Sequence, residues 1–331
     1  MSNEFASTNN FAALVPRITG SISAVSSSLI IYLIYRSKPK LSTIYHRIMF
    51  CMSVADIMAS TAMALTTLPM PRNDDPYWTE SFWQDNTPVW TDQTKLGTRQ
   101  TCAAQGFFFS TGVLIMFVYN GMLCVYYACA IAFRMKDAQI RKKIEPFIHG
   151  IPLLTGLFPV IPSFVYGFYN PTGEEPWCSL YPTQVKWRKF FSPINMLVIM
   201  GGIFVMILIS FTLIIWRVVQ NGRQLAQADG RGDIQIDERF KAAHRNTRLI
   251  ILQSLAYTGA LLITLIFPIV RSLNFQKEIM QYSTHLLLTK LMFIFMPLQG
   301  FFNFTIFLWH KGKSLSHVFL LIINSHDCFI N

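Results

Sequence analysis

A chain of 331 residues that is 52% hydrophobic and 14% charged is too poor in charge for a soluble domain, where about 25% of residues are charged. Its mean hydropathy of +0.37 points to a multispan membrane protein, and no polar stretch is long enough for a second domain. The formal net charge of +11 reads as topology and contact with anionic lipid, and a nucleic-acid partner is the poorer reading.

The N-terminal residues 1–11, MSNEFASTNNF, have neither a basic start nor a cleavage site, so they are expected to be an extracellular tail ahead of a signal-anchor span. The first span is expected from Ile18 to Tyr35 and the second from Ile48 to Met70, with one charge, Asp56. The third organises the chain. From Thr101 to Phe133 no residue is charged, a run of 33 positions, where roughly 20 suffice to cross a bilayer. It is expected to be the central strut of the bundle.

Span four is expected from Phe147 to Phe168, with Pro152, Pro159 and Pro162, and span five from Phe190 to Trp216. Span six runs from Leu249 to Val270, with Pro268 near its end. Span seven runs from Tyr282 to Trp309 and contains Lys290 and Pro297. Prolines are tolerated because neighbouring helices satisfy the freed carbonyls. The expected fold is an all-α bundle of seven transmembrane helices over residues 12–309. The tail, 310–331, contains HKGKSLSHVFLLIIN, which reads as a short amphipathic helix lying on the membrane.

Charge sets the orientation. The loops after spans one, three and five, with the C-terminal tail, hold 18 Lys and Arg against 7 acids, whereas the opposite side holds 9 and 9. Basic residues mark the cytoplasm, so the N-terminus is expected outside and the C-terminus inside a cell membrane. Trp78, Trp83, Trp90, Trp177 and Trp187 then fall in outer loops and Trp216 and Trp309 at inner helix ends, the interfacial levels that tryptophan prefers. Cys51, Cys124 and Cys129 lie in spans, where a small apolar role is the default. Cys102 and Cys178 are the two outer cysteines, and in that oxidising compartment they can form a bridge. Cys328 suits palmitoylation or a free thiol about equally.

Three stretches carry a resemblance: SVADIMAS in span two, CAAQGFFFSTG opening span three and MPLQGFFNFTIF closing span seven. With the seven spans and the cysteine pair they resemble the cyclic-AMP-receptor-like G-protein-coupled receptors of slime moulds and other protists, which share a broad profile with secretin-like receptors. The resemblance implies an extracellular ligand, a heterotrimeric G-protein partner and no cofactor. The chain departs from the rhodopsin-like pattern. Where an acidic-Arg-Tyr triplet would close span three it reads Tyr126-Tyr127-Ala128, and span seven has Asn303-Phe304-Thr305-Ile306-Phe307 in place of Asn-Pro-x-x-Tyr. Lys290 stands thirteen residues before Asn303, not the six of an opsin Schiff-base lysine, and is expected to snorkel outward.

Asp56 is the candidate switch. A mid-membrane carboxylate costs about 2.5–3.5 kcal/mol by insertion scales and must find interior partners. Asn120, Gln299 and Asn303 are the expected ones; a sodium-linked role is the lesser reading, since the mid-span-three serine expected of it is Met116. Trp177, Lys290 and Trp83 are candidates to line a ligand mouth. The inner loops are expected to meet the G protein. Ile236, Phe240, Ala243 and Thr247 recur at helical steps, so span six should extend into the cytoplasm and present Ile236, Phe240 and Arg245 to a partner groove. Arg134 and Arg141 of the second inner loop are the further contact candidates.

An enzyme is not expected. Asp56 is the one intramembrane aspartate, and no Gly-x-Ser-x-Gly, His-Glu-x-x-His or phosphate loop occurs. No metal site is expected, since His310 and His317 alone are a weak pair. The alternative is a seven-span small-solute transporter, but the three-span repeats of that class are not visible. The 18-to-9 split of basic residues predicts that an epitope tag at Asn3 is labelled on intact cells and one at Asn331 only after permeabilisation; the reverse pattern refutes the orientation.

Overall fold

In a bilayer every backbone N–H and C=O must be satisfied within the chain, which leaves helices as the way for apolar stretches such as these to cross. In the computed structural model the described residues are 2–71, 95–171, 175–182, 201–220, 234–275 and 282–310. Side chains are described throughout except at 2–10, 234–250, 272–275, 282, 283, 285 and 310. Among the described residues seven helices are long and apolar enough to cross a membrane: Phe11–Arg36, Ile44–Ala64, Arg99–Ile131, Glu145–Val165, Gly201–Gln220, Ile251–Arg271 and Leu286–Trp309. They are numbered here as spans one to seven.

The helix of span one begins at Ser2, so the residues expected as an outer tail are largely helical. Span two is capped by Thr43, whose hydroxyl accepts from the His46 N–H. It ends at Ala64, six residues short of the expected Met70, because Thr66 takes a positive φ of 47° that no helix can continue through. Span three opens on a reciprocal capping box between Thr98 and Thr101. Its 33 residues match the charge-free run closely. It packs against spans two, four and six and beneath the second outer loop, which is the strut role expected of it.

The prolines shape spans four, six and seven. Span four, read from sequence as one segment punctuated by prolines, divides into Glu145–Leu157 and Val160–Val165; Pro159 and Pro162 each lack the N–H that would carry the ladder across. Span seven runs as Tyr282–Phe295, tightens into a 3-10 turn at Met296–Leu298 around Pro297, and resumes at Gln299–His310. The helix containing span six runs unbroken from Ile234 to Phe275, with Pro268 inside it. The helical extension expected before its apolar run is therefore present, although the side chains of Ile236, Phe240 and Arg245 lie outside the described set, as do Trp83 and the tail 311–331.

A short antiparallel hairpin was not anticipated from sequence. Strand β1 (Tyr169–Pro171) pairs with β2 (Cys178–Leu180), Pro171 opposite Cys178. The core runs the length of the bundle through Ile30, Ile48, Met52, Phe117, Leu123, Tyr257, Phe293 and Phe307. Spans four and five leave Leu154, Phe158, Phe204 and Ile209 exposed, an apolar outer wall suited to lipid.

Candidate functional site

Polar side chains inside the bundle collect at three levels. At the middle, Asp56 is 2% exposed. Its Oδ2 accepts from Ser27 Oγ at 2.8 Å and from Ser23 Oγ at 3.1 Å. Ser23 in turn accepts from the Gly300 N–H at 2.8 Å. The carboxylate thus joins spans one, two and seven. Gly300 has to be glycine: a Cβ there would lie 2.0 Å from Asp56 Oδ2, 2.3 Å from Ser27 Oγ and 2.7 Å from Ser23 Oγ. Among the described residues no cation pairs with Asp56, and no three His, Cys, Asp or Glu side chains converge as a metal site.

The partners expected for Asp56 are not its partners. Gln299 accepts from Thr264 Oγ1 of span six at 2.7 Å and donates to Asn303 Oδ1 at 3.1 Å. Asn120 donates to its own helix, to Met116 O at 3.3 Å, and its buried Oδ1 has no partner among the described residues. The reason is angular. Gln299 and Gly300 are consecutive, about 100° apart on the helix, so the Gly300 backbone faces span one while the Gln299 side chain faces span six. Ser23 and Ser27, which do serve Asp56, are spaced i, i+4 in SISAVSSS. Small hydroxyl residues at helical spacing are a membrane-interface signal, and this one went unread.

At the end expected to be outer, the Cys102–Cys178 disulfide is present, with Cα atoms 5.4 Å apart. One turn on, Gln105 works as a clasp. Its amide donates to Ala62 O at 2.9 Å and Thr66 O at 2.8 Å, and its Oε1 accepts from the Cys178 N–H at 3.0 Å. Arg17 Nε adds a bond to Thr66 Oγ1 at 2.8 Å, so the strained Thr66 is held from spans one and three. Beside the disulfide, Trp177 is fully buried between Phe109 and Phe293, ring centroids 5.5 and 5.7 Å away. It is therefore not an interface anchor but the floor of the roof over the bundle mouth. Tyr169 of the hairpin packs where a Cβ on Gly106 would sit, and burial pushes its phenol up to about 12 despite the Ser110 hydroxyl. Lys290 of span seven places Nζ 5.8 Å from the Phe11 ring centroid of span one, within cation–π reach.

At the end expected to be inner, Arg47 forms an ion pair with Glu145, with Nη2 2.9 Å from Oε2. Tyr119 OH lies 3.0 Å from His149 Nδ1, tying span three to span four. Arg141 Nη2 donates to Ser42 O at 2.6 Å, which fixes the second inner loop to the first; Arg134 takes a positive φ of 51° just beyond span three. Deeper in, Tyr45, Tyr127, Gln253, Tyr257 and Phe307 meet from spans two, three, six and seven, a cluster that no motif had indicated.

No protein-family model matches the chain, and no curated protein matches it. Among solved structures its fold is similar to that of squid rhodopsin, with a TM-score of 0.68 at 15% identity over 96% of this chain and 87% of that one.

Two outcomes follow from the geometry. Gly300→Ala forces a methyl group into the Asp56 oxygens, and overpacking of this kind costs about 1–3 kcal/mol; its melting temperature in detergent should fall, whereas Gly150→Ala, with nothing within 4 Å of the new atom, should melt as wild type does. Gln105→Leu strands two carbonyls and one N–H, each costing about 1–3 kcal/mol when buried. It should reduce surface expression as much as Cys178→Ser does; wild-type expression would show that the disulfide alone holds the roof.

Proposed function

We propose that this chain is a G-protein-coupled receptor of the cell membrane, N-terminus outside and C-terminus in the cytoplasm, which binds an extracellular ligand and activates a heterotrimeric G protein. The observation that carries this reading is a seven-helix bundle of rhodopsin-like fold whose two ends differ. One end is roofed by a disulfide-tethered hairpin. From the other, the helix of span six runs on to Ile234, fifteen residues before the apolar run that opens at Leu249. A sheltered mouth suits capture of a ligand, and a projecting basic helix suits a protein groove. The motifs SVADIMAS, CAAQGFFFSTG and MPLQGFFNFTIF support placement beside the cyclic-AMP-receptor-like receptors. Ligand identity belongs to the site and not to the fold, so that placement does not name the ligand.

In the coupling role, Phe240 supplies apolar contact and Lys241 a surface charge. Burying one large side chain is worth roughly 1.5–3 kcal/mol, and an exposed charge about 0–1 kcal/mol. With purified receptor in lipid nanodiscs, Phe240→Ala should slow nucleotide exchange on a G protein at least about tenfold and Lys241→Ala by about fivefold at most. The opposite ranking makes the interface electrostatic. Equal, normal exchange in both moves the contact to Arg134 and Arg141. Solute flux through the wild-type protein without any exchange makes it a transporter.

A further inference from the structure

We propose that His149, near the start of span four, is a proton-binding site, and that charging it draws Glu145 from Arg47 and loosens the first inner loop. The consequence for signalling rests on the receptor reading above; the proton site itself rests on geometry.

His149 is a junction of three helices. Its Nδ1 lies 3.0 Å from the Tyr119 hydroxyl of span three, and the Cys51 thiol of span two meets the same hydroxyl. Its Nε2 faces Glu145 Oε1, one turn earlier on its own helix, at 3.6 Å. That is beyond hydrogen-bond range, and Nε2 has no hydrogen-bond partner among the described residues. A neutral imidazole has one N–H and one lone pair, so the Tyr119 contact satisfies one nitrogen and leaves the other idle. An imidazolium donates from both nitrogens, and both already face an oxygen. A phenol and a carboxylate are thus set around the ring for a proton that its neutral form does not carry. The side chain of His149 is 24% exposed and that of Glu145 13%, so water can deliver that proton.

The other groups around the ring decide what the proton does. Span two adds Arg47, which pairs with the same Glu145 Oε1. The short helix Asp137–Lys143 adds Asp137, Arg141, Lys142 and Lys143, all exposed, and the second half of span four, Val160–Val165, adds no titratable group. With His149 charged, one carboxylate faces two cations in a partly buried place, where a charge without its partner is costly. Arg47 has further duties. Its Nη1 donates to Leu41 O at 2.8 Å and to Ser42 O at 3.2 Å, and Arg141 Nη2 donates to that same Ser42 O at 2.6 Å. His46 Nδ1 lies 2.6 Å from Lys40 O. Three consecutive carbonyls of the first inner loop are therefore held by basic side chains, and Lys40 keeps a φ of 44° there. A charged ring that closes on Glu145 shares the oxygen that orients Arg47, so the hold on Leu41 and Ser42 weakens. In the receptor reading, this loop and the Arg141 loop bonded to it face the G protein, so acidification lowers coupling.

The test measures loop mobility and signalling separately. A nitroxide on Lys38→Cys, in full-length protein with Cys328→Ser in lipid nanodiscs, reports the mobility of the first inner loop. An ordinary histidine, pKa about 6.5, is charged at pH 5.0, whereas an ordinary glutamate, about 4.3, is still mostly ionised. Between pH 7.5 and pH 5.0 the label should become reversibly more mobile, and His149→Gln, which keeps an amide against Tyr119 but does not titrate, should lose that response. Basal nucleotide exchange is read as the ratio of parent to His149→Gln at each pH, so that the G protein's own titration cancels. The ratio should fall by about twofold on acidification, once half the sites are charged. A label that does not respond to pH in the parent overturns the proposal. So does a response that survives in His149→Gln; its loss in His46→Gln would then place the proton at His46. If His149→Gln does not fold, Glu145→Gln carries the test: its label should be mobile at pH 7.5 already and gain nothing on acidification, and a rigid, acid-responsive label there overturns the proposal. A mobility response with a constant exchange ratio upholds the proton site and overturns its part in signalling. No exchange by the parent at any pH overturns the receptor reading alone.

Discussion

A carboxylate buried at the centre of a membrane bundle has to be solvated by protein, and Asp56 imposes that condition on three helices at once. Span one must bring two hydroxyls on one face, Ser23 and Ser27, to the same oxygen. Span seven must bring its backbone close enough for the Gly300 N–H to reach Ser23, which only a residue without a side chain allows. The 3-10 turn at Met296–Leu298 immediately precedes this approach. The relative depth and rotation of spans one, two and seven therefore follow from satisfying one charge.

The other polar contacts repeat this logic at different heights. Gln105 closes the outer end across spans two and three and the hairpin, and Tyr45 closes the inner end across spans two, three, six and seven. Span two takes part at every level. Hydrogen bonds between membrane helices average only about 0.6 kcal/mol, so these contacts set register and rotation, while close packing of the apolar core holds the helices together. Span five shows the contrast: among its described residues, Ser210, Thr212 and Arg217 bond only within their own helix.

The fold is similar to that of squid rhodopsin at 15% identity, so largely different sequences build this bundle. Where an acidic-Arg-Tyr triplet would bring charge to the inner end of span three, this chain has Tyr126-Tyr127-Ala128, and uncharged phenols and an amide occupy that level. Hydrophobic length and helix packing set the fold. The polar residues within it are free to vary, provided each finds a partner.

The amino-acid sequence by itself determined the seven spans, the cysteine pair able to bridge, the prolines at which spans four and seven are interrupted and the helical run of span six before its apolar segment. All of these depend on local properties: apolar length, missing N–H groups and helical period. Asp56 was legible as a buried charge for the same reason. Its partners were not. Gln299 and Asn303 have the right chemistry, but their angular position on span seven turns them to span six, and glycine, which has no polar side chain to notice, comes to Asp56 instead. Gln105 and the Tyr45 cluster were hidden in apolar runs, because a polar residue there gives no sign of which neighbouring helix it will face. Only the tertiary structure decided these pairings, because they depend on the rotation and depth of helices far apart in the chain.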